Sequence, residues 1–449
     1  MKLSLYFARR IAAAVVVALG LGASGTDAQQ SAKSTARPAF NMTVVKPETV
    51  GFSSEGLERL HQFMQHAVDQ KEVAGIVTIL ARHGKVVDYR TYGYRDMAAG
   101  APMTKDVIFR DFSMTKPVTG VAMMILYQQG KWEPSDPIAK FIPEFAQLKV
   151  YKGMDADGKM ILVDPEHAPT MRELMSHTAG FTYGFFGDTP VDKMYRGANL
   201  LASANLQEFI GKLAKIPLLY QPGQGWTYSV SMDIEGYIVE KLSGKSLPDF
   251  IRDNITVPLG MRDAGFYVPA GKRGRFTVLY RTGPNGELVA DPSASRRSGD
   301  YDVQPPMPSG GGGMVSTAED YFRFASMLLN EGELDGKRIL APSTVKLMTT
   351  NHVPAELLNG KFGIGYATMR PGFGYGYNGA VESNPAEANL PDGKGTYQWD
   401  GAAGTWFWVD PTNDVVFVGM IQRMLGPASP PLEYGSRQVV YGALVDPEK

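Results

Sequence analysis

No cysteine occurs anywhere in the chain. That absence excludes disulfides, a thiolate nucleophile and cysteine-held metals in one step, and leaves the redox compartment open. Net charge is nearly absent too. Lys and Arg number 45 against 46 Asp and Glu, a formal balance of -1, so no overall field draws the protein to nucleic acid, an anionic membrane or a polyanionic substrate. Histidine is scarce at six residues. None of the six stands at zinc-type spacing from another or from Asp or Glu, so neither metal nor cofactor is expected. Internal repeats and low-complexity blocks are missing. So is an apolar run of about 20 residues, the length a membrane-spanning helix needs. What is present is 449 residues, 44% hydrophobic and 20% charged. That is ample apolar material for a real core, in one large domain or two interleaved ones.

Residues 1–28 read as an address. Lys2, Arg9 and Arg10 form a basic start, Ile11 to Leu21 is an uncharged Ala/Val-rich run, and Ala28 closes a small-residue stretch of the type a signal peptidase cuts. Export to a periplasm or into the medium is expected, with no stable membrane span once the segment is cleaved. Retention as an anchor is the competing reading. Residues 29–47 are polar and aperiodic, which reads as a disordered tether.

Beyond it, Ser53 and Ser54 can cap a helix with apolar residues at Leu57, Leu60, Met64, Ala67 and Val68. Ala74–Ala81 and Val86–Tyr92 flank a His83-Gly84-Lys85 turn and read as a hairpin. Ser113–Gln129 is helical and almost wholly apolar along its inner length, so it is a buried helix. From 130 to 310 helices and loops alternate, with small hairpins around Asp157-Gly158 and Asn285-Gly286. Pro269–Gly313 is rich in Gly, Pro, Arg and Ser, and reads equally as a lid-like loop or a plain connector. Thr317-Ala318-Glu319-Asp320 is a capping box for a helix over Tyr321–Leu329. Strands at Thr396–Trp399, Thr405–Val409 and Val415–Met420 and a helix at about Ser436–Leu444 close the chain. The fold class is therefore α+β. An antiparallel sheet flanked by terminal helices is built from residues 48–130 and 310–449, and a mostly helical region, 131–309, is inserted between them. The active site is expected at the junction, where such insertions leave a cleft.

Ser113-Met114-Thr115-Lys116 stands at the mouth of the buried helix. Three residues along a helix is nearly one turn, so the serine hydroxyl and the lysine amine share a face. Serine is a poor nucleophile until a base takes its proton. Lysine becomes such a base only if burial lowers its ordinary pKa of about 10.4. Taken alone, Ser113 reads equally as a helix-capping serine, and Ser343-Thr344-Val345-Lys346 repeats the spacing on what reads as an ordinary surface helix. Gln221 to Ser229 forms a tight loop that delivers Tyr228 just before the helical segment Met232–Lys241. No serine has the G-x-S-x-G frame of an elbow nucleophile. Gly374-Tyr375-Gly376-Tyr377-Asn378-Gly379 matches a dinucleotide motif on paper, but no helical pattern follows it, so it is a glycine-rich loop.

Several markers stand in order: Phe112-Ser113-Met114-Thr115-Lys116-Pro117, Leu174 to Gly180, the Pro222-to-Tyr228 loop, Pro258-Leu259-Gly260-Met261, Gly310 to Thr317, and Trp399-Asp400-Gly401. Together they resemble the penicillin-recognising serine hydrolases, closest to the class C β-lactamase-like esterases, also called family VIII carboxylesterases. The likeness runs from about Val50 to Met420. It implies a β-lactamase and penicillin-binding-protein-like fold. It also implies that Ser113 is the nucleophile, Lys116 its base partner and Tyr228 the group that relays a proton to or from the leaving group. Trp399-Asp400-Gly401 matches the family's third motif, with Trp399 and Gly401 against the substrate. The backbone N–H of Ala402 then joins that of Ser113 as the oxyanion hole, where each donor is worth on the order of 3 kcal/mol. His177, inside a marker, is a structural histidine on this reading.

The departures from the family pattern narrow the substrate. Val230 stands where β-lactamases of this family carry Asn, and Trp399 where they carry Lys or His. Both changes delete polar groups that would hold a β-lactam and leave an aromatic wall suited to an uncharged acyl or alcohol group. Asp400 stands where the esterases commonly have glycine, and a carboxylate facing the oxyanion would oppose catalysis. The expected activity is cleavage of small acyl esters, or related amides, through an acyl-enzyme. A β-lactamase or D-Ala-D-Ala carboxypeptidase, and a non-catalytic cell-envelope binding protein, are the alternatives.

Overall fold

Two runs of β-branched and aliphatic residues from opposite ends of the chain, Gly75–Arg82 and Val415–Met420, pair antiparallel from Val77 opposite Met420 to Arg82 opposite Val415. They form the centre of an eight-stranded sheet in the computed structural model, which describes residues 40–291, 301–357, 371–426 and 429–448. On one side of this pair lie Lys85–Asp96 and the short Ala101–Pro102. On the other lie Trp406–Asp410, Tyr397–Asp400, Ala380–Glu382 and Phe373–Tyr375, every neighbour antiparallel.

Every residue of Gly75–Arg82 and of Val415–Met420 is buried, so both faces of the sheet are covered. Side chains alternate across a strand, and the two faces divide accordingly. Ile76, Leu80, Val415 and Phe417 pack with Leu57, Leu60 and Met64 of the helix Ser54–Asp69 and with Leu432 and Val440 of the helix Leu432–Ala443. Val77, Ile79, Val416 and Val418 face the larger core, which contains the helices Thr115–Gln128 and Ala318–Leu329. That core continues into the helices between residues 171 and 251, of which Ser231–Ser243 packs directly on Thr115–Gln128. The α+β architecture with an antiparallel sheet and terminal helices is as the sequence implies.

The capping box at Thr317 forms with Asp320, and Ser53 accepts from Gly56 N–H. The two small hairpins form as Val150–Met154 with Met160–Val163 and Tyr280–Thr282 with Leu288–Ala290. Three details differ from the sequence reading. Phe373–Tyr375 and Ala380–Glu382 pair as an edge hairpin across Gly376–Gly379 instead of an open loop, because three-residue strands are too short to show alternation. The last helix begins at Leu432, directly after Pro430-Pro431, earlier than its apolar pattern indicates. Residues 40–46, the end of the segment read as a tether, lie against the body. Phe40 packs on Phe322 and under the Arg323 guanidinium, and Val45 N–H donates to Val86 O. The address at 1–28, tether residues 29–39 and part of the Pro269–Gly313 stretch, 292–300, lie outside the described residues. Among the described residues no helix is long and apolar enough to cross a membrane.

Candidate active site

The chain reaches Ser113 through a clamped turn. Strand Ile108–Arg110 pairs with Val315–Thr317, which brings the tetraglycine run 310–313 alongside. Asp111 N–H donates to Met314 O, Ser316 Oγ to Asp111 Oδ1 and Thr405 Oγ1 to Asp111 O, while Tyr321 Oη donates to Met114 O. Ser113 sits in the single turn Phe112–Met114, and the α-helix begins at Thr115, with Pro117 in its first turn. Phe112 has φ +46°, a strained setting for a bulky residue that the surrounding bonds hold in place. Ser113 itself is half-buried.

Lys116 is fully buried. Its Nζ donates to Ser113 Oγ at 3.1 Å and to Gly311 O at 2.6 Å. Burial pushes its pKa down to about 7, although Asp233, Asp400 and Glu235 pull the other way. A large share of this amine is therefore neutral near pH 7. The amine lies 4.5 Å from the Tyr228 ring centroid and 5.4 Å from that of Tyr183. The structure thus brings Ser113, Lys116 and Tyr228 together. By contrast, Ser343 and Lys346, with the same spacing, are exposed on the helix Pro342–Met348.

Tyr228 belongs to a group of rings. Its centroid is 5.5 Å from Trp399, 5.0 Å from His177, 5.3 Å from Tyr183 and 5.9 Å from Phe186. Tyr375, on the edge hairpin, meets both Trp399 and His177. Trp399 is on the strand Tyr397–Asp400, and the chain then makes a tight turn closed by Gly401 N–H to Thr405 O at 2.7 Å. A Cβ on Gly401 would lie 2.4 Å from Asp111 O, so glycine lets this turn press against the nucleophile segment. Among the described residues neither the Ser113 nor the Ala402 N–H is taken up by a backbone acceptor. Asp400 is half-buried at the end of the strand. Burial, with Glu433 beside it, raises its carboxyl above the usual carboxylate range, while Lys116 pulls it down. Val230 is buried and brings no polar group to the site.

His177 is fully enclosed, its Nδ1 hydrogen-bonded to Ser229 Oγ at 2.9 Å, and burial holds its pKa well below the ordinary value. It is a neutral ring in the wall. Four residues around Lys116 are not read as site residues from the sequence: Asp233, Glu235, Asn378 and Tyr183. Asp233 Oδ1 accepts from Ser309 Oγ and from Gly311 N–H, which fixes the carbonyl that holds the amine. Asn378 Nδ2 donates to Lys116 O and to Glu235 Oε2. Tyr183 Oη would lie 2.7 Å from a Cβ on Gly311, so the tetraglycine run admits no side chain at that position. Two signals were available for these residues: acids inside an apolar helix at Asp233 and Glu235, and Asn378-Gly379 as a turn pair. Among the described residues no three His, Asp or Glu side chains converge to hold a metal ion.

Comparison with known proteins gives a consistent picture. The Beta-lactamase family profile matches residues 60–440. Esterase EstB of Burkholderia gladioli is 30% identical over 89% of this chain and the whole of that protein. An uncharacterized protein of Mycobacterium tuberculosis is 36% identical over 80% of this chain and 88% of its own. Among solved structures, EstCE1, a hydrolase with promiscuous acyltransferase activity, superposes with a TM-score of 0.72 at 28% identity. The match covers 86% of this chain and 98% of that one.

Proposed function

The chain belongs to the Beta-lactamase family, and on that premise we propose that this serine hydrolase cleaves small, uncharged acyl esters through a covalent intermediate on Ser113. Lys116 Nζ takes the Ser113 proton as Oγ attacks the ester carbonyl carbon. The Ser113 and Ala402 N–H groups receive the oxyanion. Tyr228 passes the proton from Lys116 to the leaving alcohol, and water, activated by the same pair, releases the acid. Trp399 and Gly401 line the substrate's path. One observation carries this reading: a fully buried amine, whose pKa burial lowers, lies 3.1 Å from a half-buried serine hydroxyl. Export, with cleavage within residues 1–28, is part of the proposal and rests on the sequence alone.

The test is a pre-steady-state assay with p-nitrophenyl butyrate. Wild type gives a burst of nitrophenol, and Ser113→Ala gives neither burst nor turnover. An unchanged rate in Ser113→Ala rejects the mechanism. Efficient nitrocefin turnover by the wild type would instead favour the β-lactamase alternative.

A second reading, in which an alcohol replaces water as acyl acceptor, is favoured by the promiscuous acyltransferase activity of the similar hydrolase EstCE1. Ester products formed in the presence of added alcohol distinguish the two.

A further inference from the structure

Phe185 is 62% exposed, on a loop directly beside the ring group. The loop Thr182–Asp188 is fixed from beneath by the helix Pro190–Ala198. Thr182 Oγ1 donates to the buried Asp192 and accepts from Gly184 N–H, and Arg196 donates to the carbonyls of both Gly184 and Gly187. Gly184 has φ +83°, and a Cβ there would lie 2.6 Å from Tyr195 Cβ, so glycine is required at this point of the loop. An exposed phenylalanine is thus held in a set place.

Its contacts lead inward. The Phe185 ring stacks on Tyr183 at 5.1 Å and meets Phe186 edge-on at 5.5 Å, and both Tyr183 and Phe186 touch Tyr228. An aromatic surface therefore runs unbroken from solvent to the ring that faces Lys116. The neighbouring Asp188 is paired with Arg196 at 2.5 Å and Lys193 at 3.4 Å, so its carboxylate is not left unpaired at this rim.

We propose that Phe185 is a specificity-determining residue, the outer wall of a subsite for a flat, uncharged aromatic group on the alcohol side of the ester. The alcohol side follows from the proposed function, on which this inference rests. If Tyr228 protonates the leaving alcohol, that group lies against Tyr228, and Phe186, Tyr183 and Phe185 continue the surface beyond it.

The test compares 2-naphthyl butyrate with ethyl butyrate, which form the same butyryl-enzyme and differ only in the alcohol. The readout is the ratio of their kcat/KM values in wild type, Phe185→Ala and Phe185→Trp. Loss of the ring in Phe185→Ala should lower the naphthyl-to-ethyl ratio roughly tenfold, the size of one lost aromatic contact, and Phe185→Trp should keep it. A ratio in Phe185→Ala within about twofold of a wild type that cleaves both esters overturns this inference alone. A wild type that cleaves neither ester overturns the esterase reading, and this inference with it.

Discussion

Lys116 has a hydroxyl and a carbonyl as its hydrogen-bond partners, and neither carries the negative charge that would retain its proton. Desolvation therefore wins over the more distant acids, and the amine titrates near pH 7. For p-nitrophenyl butyrate, kcat/KM should rise about tenfold per pH unit below that value and level off above it, as the neutral amine becomes the prevailing form. A profile that is flat from about pH 5 to 9, or that falls through neutrality, would contradict this assignment. His177 is a poorer source of the same rise, because burial moves its pKa well below the ordinary histidine value and so away from neutrality. At this scale the pair Ser113 and Lys116 was legible because three residues of helix suffice to join them. Asn378 was not. It stands 262 positions from the carbonyl it binds, and no local pattern encodes that contact.

Elements set the distances within the site. The turn after Trp399 reaches the nucleophile segment through Thr405 Oγ1 and the bare Cα of Gly401, and a Cβ there would meet Asp111 O at 2.4 Å and Thr405 Oγ1 at 2.3 Å. Gly401→Ala must push the two segments apart, which moves Ala402 N–H relative to Ser113. A shift of about 1 Å in a catalytic group costs on the order of a hundredfold in rate, so kcat should fall by that much. The circular dichroism spectrum should stay native. A variant with kcat close to that of wild type would show that the turn does not position the oxyanion donors. Elements of six residues or more were readable from their apolar pattern, as with Val415–Met420, whose bounds match the apolar run. The edge hairpin that carries Tyr375 and Asn378 was not, since its strands have three residues each and pair through glycine-rich backbone.

At the scale of the whole molecule, both chain ends build one sheet, and the helices and loops between them supply Tyr228, Asp233 and Phe185. The sheet was legible in its short apolar runs, Ala74–Ala81 and Val415–Met420, each bounded by a turn. Convergence of the site was not, because it depends on how the helix Ser231–Ser243 packs on Thr115–Gln128. The resemblance to serine hydrolases bridged that gap by matching Tyr228 to a role that local sequence does not define. All of the proposed chemistry requires that one hydroxyl, and no other, accept the acyl group. Peptide mapping by mass spectrometry after reaction with a fluorophosphonate probe tests this most directly. A single adduct on the peptide containing Ser113 is the expected result. An adduct on any other residue, or none on the folded wild-type protein, would contradict it.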